Sequence, residues 1–284
     1  MFLPRLRDQH DSAIEEVDSS DLTNMLPSAL EHVEEIAGHS GRLAVFLDYD
    51  GTLTPIVSHP EQAWLADSMR QVLQQLTERA SVAILSGRDL DDVRRRVGIE
   101  EIVYAGSHGF DVAGPHGLRR QIATEFLPNL DAAENELHRA LDEIPGAQVE
   151  RKLFSVAAHY RNGQENDLSR IQRVVNAVTT QHHELRKIDG KKVYELLPDI
   201  DWNKGKAVIW LLEMFGLEGG TLHPIYIGDD TTDEDAFRAL KQVGVGIVVS
   251  EKSQDTAASY SLKDPADVER FLRALTAYLP AGKL

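Results

Sequence analysis

An apolar run that stops abruptly at two carboxylates is the feature that most restricts how this chain can fold. Residues 43–47 read Leu-Ala-Val-Phe-Leu, and Asp48 and Asp50 follow, with Gly51 and Thr52 directly afterwards. A strand that is apolar on both faces is typical of a buried parallel sheet, and open sheets of this kind bind ligands at their carboxyl ends. Acids two residues apart on an extended strand point to the same side. The pattern therefore suits an enzyme that attacks with one carboxylate and moves a proton with the other.

The composition limits the class of protein. With 284 residues, 42% of them hydrophobic, the chain is long enough for one large domain or two moderate ones. Its formal net charge of −16 disfavours nucleic acid as a partner, because phosphate backbones are bound by clusters of Lys and Arg. There is no cysteine, which excludes disulfides, thiolate metal sites and cysteine nucleophiles. No apolar run approaches the ~20 residues of a membrane span, and no secretory signal is visible, so we expect a cytoplasmic protein without membrane partners.

The order of apolar runs predicts the architecture of the first part of the chain. Strands are expected at 43–47, 81–85 and 101–105, with helices at 69–79 and 89–97 between them. This alternation is typical of a parallel sheet with crossover helices.

The pattern changes after residue 110 and returns near residue 198. In between, helical patterns and short strands, two of them joined by the turn signal Asp189-Gly190, indicate an α+β unit. We therefore predict an α/β protein in which an inserted α/β cap domain interrupts a doubly wound parallel sheet. The predicted bounds are 1–25 for an N-terminal extension, 26–110 and 198–284 for the catalytic core domain, and 111–197 for the cap, or lid, domain.

Polar residues that follow four predicted elements would meet at one edge of the sheet. Beside the first pair of acids these are Ser86, Lys204 and the segment 228–233, Gly-Asp-Asp-Thr-Thr-Asp. Phosphoryl transfer needs a nucleophile, a metal ion, cations near the phosphate oxygens and a proton donor for the leaving group. An aspartate can be the nucleophile by forming an aspartyl-phosphate. The set of residues therefore predicts a phosphoryl-transfer site.

Mg²⁺ is the cofactor that this site predicts. It prefers oxygen ligands, which Asp48, Asp229 and the backbone carbonyl of Asp50 would supply. The metal would keep the anionic nucleophile and the anionic phosphate from repelling each other. The alternative is that Asp229, Asp230 and Asp233 cap the helix that follows, since acids favour helix N-termini.

These motifs resemble those of the haloacid dehalogenase phosphatase superfamily and, within it, the trehalose-6-phosphate phosphatase family. The segment 48–52, Ser86, Lys204 and the segment 228–230 come in the order of the four superfamily motifs. The narrower resemblance rests on the segments 50–56 (Asp-Gly-Thr-Leu-Thr-Pro-Ile), 86–88 (Ser-Gly-Arg), 106–109 (Gly-Ser-His-Gly), 154–156 (Phe-Ser-Val), 159–161 (His-Tyr-Arg), 203–207 (Asn-Lys-Gly-Lys-Ala) and 228–237 (Gly-Asp-Asp-Thr-Thr-Asp-Glu-Asp-Ala-Phe).

The resemblance implies a Mg²⁺-dependent phosphoric monoester hydrolase of trehalose biosynthesis. Such an enzyme hydrolyses trehalose 6-phosphate to trehalose and phosphate through an aspartyl-phosphate. The residues implied to be catalytic are Asp48 as nucleophile, Asp50 as acid and then base, and Ser86 and Lys204 on the phosphate. The residues implied to bind the metal are Asp48, Asp50 and Asp229, with support from Asp230 and Asp233.

The family uses its inserted domain to contact the sugar. The residues implied to bind substrate are Arg88, His108, Glu150, Lys152, His159, Arg161 and Glu195. Surface ion pairs are the alternative for the cap residues, a helix cap is the alternative for Ser86, and a solvated surface position is the alternative for Lys204. Two other functions stay open, a related phosphatase of sucrose phosphate, mannosyl-phosphoglycerate or glucosyl phosphates, and a non-catalytic regulatory module. We expect a small-molecule sugar phosphate as ligand and a monomer or small homo-oligomer.

Overall fold

The computed structural model describes residues 26–38, 42–190, 192–216 and 222–280. The predicted N-terminal extension, residues 1–25, lies outside the described residues. The strands are β1 (Arg42–Leu47), β2 (Ser81–Leu85), β3 (Val103–Gly106), β4 (Asp111–Ala113), β5 (Arg119–Gln121), β6 (Gln148–Lys152), β7 (Ser155–His159), β8 (Leu185–Gly190), β9 (Val193–Pro198), β10 (Leu222–Gly228), β11 (Val245–Val249) and β12 (Tyr260–Leu262). The α-helices are α1 (Val33–Ala37), α2 (Asp67–Thr77), α3 (Leu90–Val97), α4 (Leu127–Leu141), α5 (Glu165–Gln181), α6 (Lys204–Gly216), α7 (Glu234–Leu240) and α8 (Pro265–Tyr278).

The larger sheet has eight strands in the order β12-β11-β10-β1-β2-β3-β4-β5. The strands from β12 to β3 are parallel, whereas β4 and β5 continue the sheet as antiparallel neighbours. Parallel strands need both faces covered, and β1 is buried along almost its whole length for this reason. The prediction of a doubly wound parallel sheet is therefore confirmed.

Helices cover both faces of this sheet. On one face α1, α2, α3 and α8 pack their apolar sides into a core with Val45, Leu47 and Ile227. On the other face α6 and α7 pack against Phe46 and Tyr226. Successive residues of a strand point to opposite faces, so the continuous apolar run of β1 supplies both cores at once.

The predicted insertion forms a second sheet that is covered by helices on one face. Its sheet has four antiparallel strands in the order β6-β7-β9-β8. The apolar sides of α4 and α5 cover one face of this sheet, in a core that includes Leu137, Val156 and Val175. A smaller cluster joins the two sheets, and in it the rings of Phe110 and Phe154 stack with centroids 6.1 Å apart.

The start of the insertion differs from the sequence prediction, which gave residues 111–197 to the cap. β4 pairs with β3 and β5 pairs with β4, so the chain remains part of the larger sheet as far as Gln121. Each of these strands has three residues, too few to show a period-two pattern, and the same holds for β12, which the sequence also did not predict. Among the described residues no helix combines the length and the apolar character needed to cross a membrane.

Candidate active site

The acids at the end of β1 lie where the larger sheet changes its winding direction. β2 flanks β1 on one side and β10 on the other, and such a switch point opens a crevice beyond the strand ends. The backbone N–H of Asp48 extends the pairing by donating to the carbonyl oxygen of Ile227 at 2.9 Å. Ser86 follows β2 and Asp229 follows β10. The predicted strand ends therefore do meet at one edge.

Lys204 is the first residue of α6, and its ammonium group joins two carboxylates at this edge. The Nζ atom donates to Oδ1 of Asp48 at 2.8 Å and to Oδ1 of Asp233 at 2.7 Å. Only 3% of Lys204 is exposed, which excludes the alternative of a solvated surface lysine. Removing either partner from a buried pair of this kind leaves an uncompensated charge, so the three side chains form one electrostatic unit.

Asp233 is fully buried and shapes the segment that carries Asp229. Its Oδ2 atom accepts the backbone N–H groups of Asp229 and Asp230 at 3.0 and 2.9 Å. Its Oδ1 atom also accepts the hydroxyl of Tyr226 at 2.6 Å. Asp230 accepts the N–H of Thr231 and forms a reciprocal capping box with Asp233. The capping role that the sequence left open therefore applies to Asp230, whereas Asp233 has several further partners.

Three carboxylates lie close enough to share a metal ion. One oxygen from each of Asp48, Asp229 and Asp233 is within 4.8 Å of the other two. Lys204 brings one positive charge to these three negative ones, so a divalent cation would balance the remainder, and carboxylate oxygens are the ligands that hard cations prefer. The group fits such a cation. The side chain of Asp50 is not in it, whereas Asp233, predicted only in support, is one of its three members.

Gly51 allows the first motif and the last one to approach each other. Its φ of +88° lies in the left-handed region that favours glycine. A Cβ atom at this position would lie 2.1 Å from Oδ2 of Asp229. The glycine therefore lets the turn after Asp48 pass directly beneath the Asp229 carboxylate.

Burial has the largest influence on the pKa of Asp48, the candidate nucleophile. Burial raises the pKa of Asp48 well above its usual range; Lys204 opposes this, and Asp233 and Asp229 add to it. For Lys204, burial would lower the pKa of the ammonium, but Asp233 and Asp48 outweigh burial and raise that pKa well above the ordinary value. The Lys204 ammonium is therefore charged at neutral pH. A bound cation would relieve the electrostatic repulsion among the three carboxylates.

The carboxylate of Asp50 is outside this group and is held by Arg88. The guanidinium donates from Nε to Oδ2 at 2.7 Å and from Nη2 to Oδ1 at 2.6 Å. Arg88 also donates to Asp92 and to the carbonyl oxygen of Pro60. This bidentate pairing fixes the plane of the Asp50 carboxylate. Arg88 was predicted to bind substrate, and its hydrogen bonds in the structure are to Asp50, Asp92 and Pro60.

Ser86 is 1% exposed and belongs to a tight loop between β2 and α3. Its Oγ atom accepts the backbone N–H of Arg88 at 3.1 Å. Asp89 is the residue that precedes α3, so Ser86 does not cap that helix. The carbonyl oxygen of Ser86 accepts the N–H of His108 at 2.9 Å, which ties this loop to the turn after β3.

Lys152, Glu195 and His108 form a buried chain of contacts between the cap and the core. Lys152 donates from Nζ to Oε1 of Glu195 at 2.8 Å and to the carbonyl oxygen of Gly87 at 2.9 Å. Nε2 of His108 lies 2.9 Å from Oε2 of Glu195, and the hydroxyl of Ser155 donates to Oε1 of the same carboxylate. These residues are not surface ion pairs, because Glu195 is 5% exposed.

The charges around Glu195 outweigh its burial. Burial alone would raise the pKa of its carboxyl, but Lys152 and His108 hold that pKa well below the ordinary value. For Lys152, burial favours the neutral amine, whereas Glu195 and Glu150 raise the pKa of the ammonium above its usual value. Glu195 and Lys152 are therefore both charged at neutral pH.

The remaining predicted cap residues lie nearer the solvent. Nε2 of His159 is 2.7 Å from Oε2 of Glu150, and this pair is partly exposed, as the surface alternative expected. Hydrogen bonding from His159 lowers the pKa of Glu150 despite partial burial. Nη1 of Arg161 donates to the carbonyl oxygen of Val57 at 3.0 Å, so it links the cap to the loop after the first motif.

The sequence did not single out three further residues that contact the site. Tyr226 lies within β10 and gave no signal beyond its apolar surroundings. Ser155 belongs to the segment 154–156 that carries the family resemblance, so the sequence offered a signal for it. Asp89 directly follows Ser86-Gly87-Arg88 and accepts the N–H of Leu153 in the cap at 2.8 Å.

The doubly wound sheet, the acids at its switch point, the lysine at the start of α6 and the second, antiparallel sheet define the class of this protein as an α/β phosphatase. The family model described as trehalose-phosphatase matches residues 46–266. The chain belongs to the trehalose-phosphatase family, and it is a phosphoric monoester hydrolase.

Individual relatives agree with this assignment. The chain is 44% identical over 270 residues to the trehalose-phosphate phosphatase of Mycobacterium bovis. This alignment covers 92% of this chain and 68% of that protein. It is 43% identical over 258 residues to a probable trehalose-phosphate phosphatase of Oryza sativa, with 88% and 70% covered. Among solved structures, the C-terminal domain of the C. albicans trehalose-6-phosphate phosphatase has the same fold, with a TM-score of 0.78, 22% identity, and 90% of this chain and 100% of that chain covered.

Proposed function

We propose that this protein hydrolyses trehalose 6-phosphate to trehalose and phosphate, as a step of trehalose biosynthesis. The observation that carries the chemistry is the buried group of Asp48, Lys204, Asp229 and Asp233 at the switch point of the sheet. The substrate is taken from the relatives, whose names specify trehalose phosphate and whose similarity spans both the core and the cap.

Asp48 is proposed as the nucleophile. Its free carboxylate oxygen attacks phosphorus, an oxygen–phosphorus bond forms, and the bond between phosphorus and the sugar oxygen breaks. Asp50 takes up a proton from solvent when the substrate binds and gives it to the departing sugar oxygen. Water then attacks the phosphorus of the aspartyl-phosphate, Asp50 takes the proton of that water, and the Asp48 carboxylate is restored.

Lys204 and Ser86 are proposed to hold the transferring phosphate. The Lys204 ammonium is already fixed between Asp48 and Asp233, so it needs no reorganisation when negative charge arrives. The hydroxyl of Ser86 and the backbone of its loop lie at the end of the neighbouring strand β2. A phosphate bound beyond these strand ends would meet donors from two elements.

Mg²⁺ is the metal that we propose for the acid group. Asp48, Asp229 and Asp233 would hold it, together with the backbone carbonyl of Asp50, and Asp230 would support the segment. The ion would supply positive charge for the phosphate oxygens and relieve the repulsion among the carboxylates. Gly51 supports this proposal, because its lack of a side chain leaves the Asp229 carboxylate in place.

The cap is proposed to recognise the sugar. The ammonium of Lys152, the imidazole of His108 and the carboxylate of Glu195 lie together beside the Ser86 loop. The hydroxyl groups of a sugar can donate hydrogen bonds to the carboxylate and accept them from the other two groups. Glu150, His159 and Arg161 are proposed as outer contacts of the same ligand.

A panel of phosphate esters tests this function. Phosphate release should be fastest with trehalose 6-phosphate, and slower with sucrose phosphate, mannosyl-phosphoglycerate, glucose 6-phosphate and p-nitrophenyl phosphate. Chelation of the metal should stop it, and added Mg²⁺ should restore it. Comparable rates on every ester would reject a trehalose specialist, and no release from any of them with Mg²⁺ present would favour a regulatory module. A monomer or small homo-oligomer is proposed as well, and light scattering of the full chain measures it directly.

A further inference from the structure

Asp89 stands at the N-terminus of α3 but does not cap that helix. Aspartate is among the favoured N-cap residues because its carboxylate can accept a backbone N–H of the first turn. Here the side chain of Asp89 makes no such bond. Its Oδ1 atom instead accepts the backbone N–H of Leu153 at 2.8 Å and the hydroxyl of Ser107 at 3.3 Å.

The bond to Leu153 crosses from the core to the cap. Leu153 lies in the turn between β6 and β7, directly after Lys152. Lys152 itself donates to the carbonyl oxygen of Gly87, two residues before Asp89. Two consecutive cap residues are therefore bonded to one short loop of the core, the loop that also carries Ser86.

We propose that Asp89 is a positioning residue for substrate recognition, which holds the β6–β7 turn of the cap at a fixed place above the Ser86 loop. It does so through a carboxylate that accepts a cap N–H, and the placement of Lys152 and Glu195 depends on it. This inference rests on the proposed function, since it concerns recognition of the sugar part of the same substrate.

The electrostatics agree with a docking role. Burial raises the pKa of the Asp89 carboxyl, while the Leu153 N–H and the charge of Lys152 oppose this increase. Asp89 is half-buried, which accounts for this increase, and its carboxylate is bonded to the cap through Leu153. Ser107 holds the other side of the contact, at the turn that leads to His108.

Asp89 is also separate from the phosphate chemistry. Its bonds are to the cap turn and to Ser107, whereas Asp48 is bonded to Lys204. Loss of Asp89 should therefore weaken the binding of a ligand that the cap must contact, and leave a small ester without a sugar largely unaffected.

Three variants test the proposal by steady-state kinetics with Mg²⁺. For Asp89→Ala we expect the KM for trehalose 6-phosphate to rise about tenfold or more, with kcat/KM for p-nitrophenyl phosphate within about twofold of wild type. Asp89→Asn keeps an acceptor oxygen and should recover most of the loss. Asp91→Ala removes an exposed acid from the first turn of the same helix and should change neither substrate.

Hydrogen exchange of the backbone amides gives a second readout that does not depend on the substrate. In Asp89→Ala the Leu153 amide should exchange faster, while the amides of α3 keep their protection. Wild-type kinetics together with unchanged exchange at Leu153 would overturn the proposal. So would equal losses on both esters with reduced protection across α3, because that is the result expected of a helix cap. If the wild-type enzyme does not act on trehalose 6-phosphate, the proposed function fails, and exchange at Leu153 still decides whether Asp89 holds the cap.

Discussion

Arg88 binds Asp50 through two parallel hydrogen bonds, from Nε to Oδ2 at 2.7 Å and from Nη2 to Oδ1 at 2.6 Å. Arg88 is itself fixed by Asp92 at 2.9 Å and is only 11% exposed. A planar guanidinium that meets a carboxylate in this way restricts both its position and its orientation. The proposed acid of the reaction is therefore held by the core and not by the cap.

The first prediction concerns this pair. Arg88→Lys keeps the charge but loses the bidentate geometry, and we expect kcat for trehalose 6-phosphate to fall about tenfold. Arg88→Ala releases Asp50 altogether, so a fall of about 100-fold is expected, the low end of what general acid–base catalysis contributes. Arg95→Ala is the matched control, since Arg95 also pairs with Asp92 but is 68% exposed. An unchanged kcat in Arg88→Ala would show that Asp50 needs no partner.

Alanine substitutions at two glycines with positive φ, Gly51 and Gly117, distinguish the effect of backbone strain from the effect of steric contact with the Asp229 carboxylate. Gly51→Ala would place a methyl group 2.1 Å from Oδ2 of Asp229, so we expect loss of activity by about 100-fold or more and weaker metal binding. Gly117→Ala has a similar strain, with φ of +76°, but a Cβ there meets nothing within 4 Å. It should cost about 1 kcal/mol of stability and no activity. Turnover and Mg²⁺ titration followed by thermal shift measure both; equal activity losses would point to strain alone.

Asp48→Asn tests the nucleophile. The amide cannot form the aspartyl-phosphate, so phosphate release should fall by at least about 1000-fold. The substitution removes one negative charge from a buried group of three, and Lys204 keeps Asp233 as its partner, so the fold should persist. Circular dichroism and urea-induced unfolding without added metal give the control measurement. Turnover near the wild-type rate would reject Asp48 as the attacking group.

The pH dependence of stability is predicted from Glu195. Its folded pKa lies well below the ordinary value of 4.5, so its ionised form stabilises the folded state above that pH. This contribution is lost as pH falls below 4.5 toward the lower folded pKa. At pH 7, Glu195→Gln should lower the free energy of unfolding by roughly 3 kcal/mol, because Lys152 loses a buried partner.

The difference between Glu195→Gln and wild type should shrink when unfolding by urea is repeated at acidic pH. Glu150→Gln is the control on the same sheet, because its pair with His159 is partly exposed and should contribute less than about 1 kcal/mol. A difference that stays constant from pH 7 to acid would contradict the assignment of the stabilisation to the Glu195 charge.

The sequence alone determined the doubly wound core and the residues at its strand ends. The apolar run of β1 is typical of a buried parallel strand, and a parallel sheet brings Asp48, Ser86 and Asp229 to one edge. The two strands β8 and β9 were predicted for a similar local reason, because a turn signal separated two strand patterns. The predicted turn residues Asp189 and Gly190 themselves belong to β8 and pair with Tyr194 and Val193, so the connection lies beyond Gly190.

Tertiary structure decided the partners of those residues. The bonds of Lys204 to Asp48 and Asp233 and the pairing of Arg88 with Asp50 depend on side chains far apart in sequence, which no local pattern encodes. The same holds for the short strands β4 and β5, which gain their conformation from the pairing of β4 with β3 and of β5 with β4 rather than from their own composition. The acids after β1 were visible in the sequence because burial of a strand constrains consecutive residues. Which acid joins the group of three carboxylates and which one is held by Arg88 depends on packing between distant elements, and only the folded chain sets that.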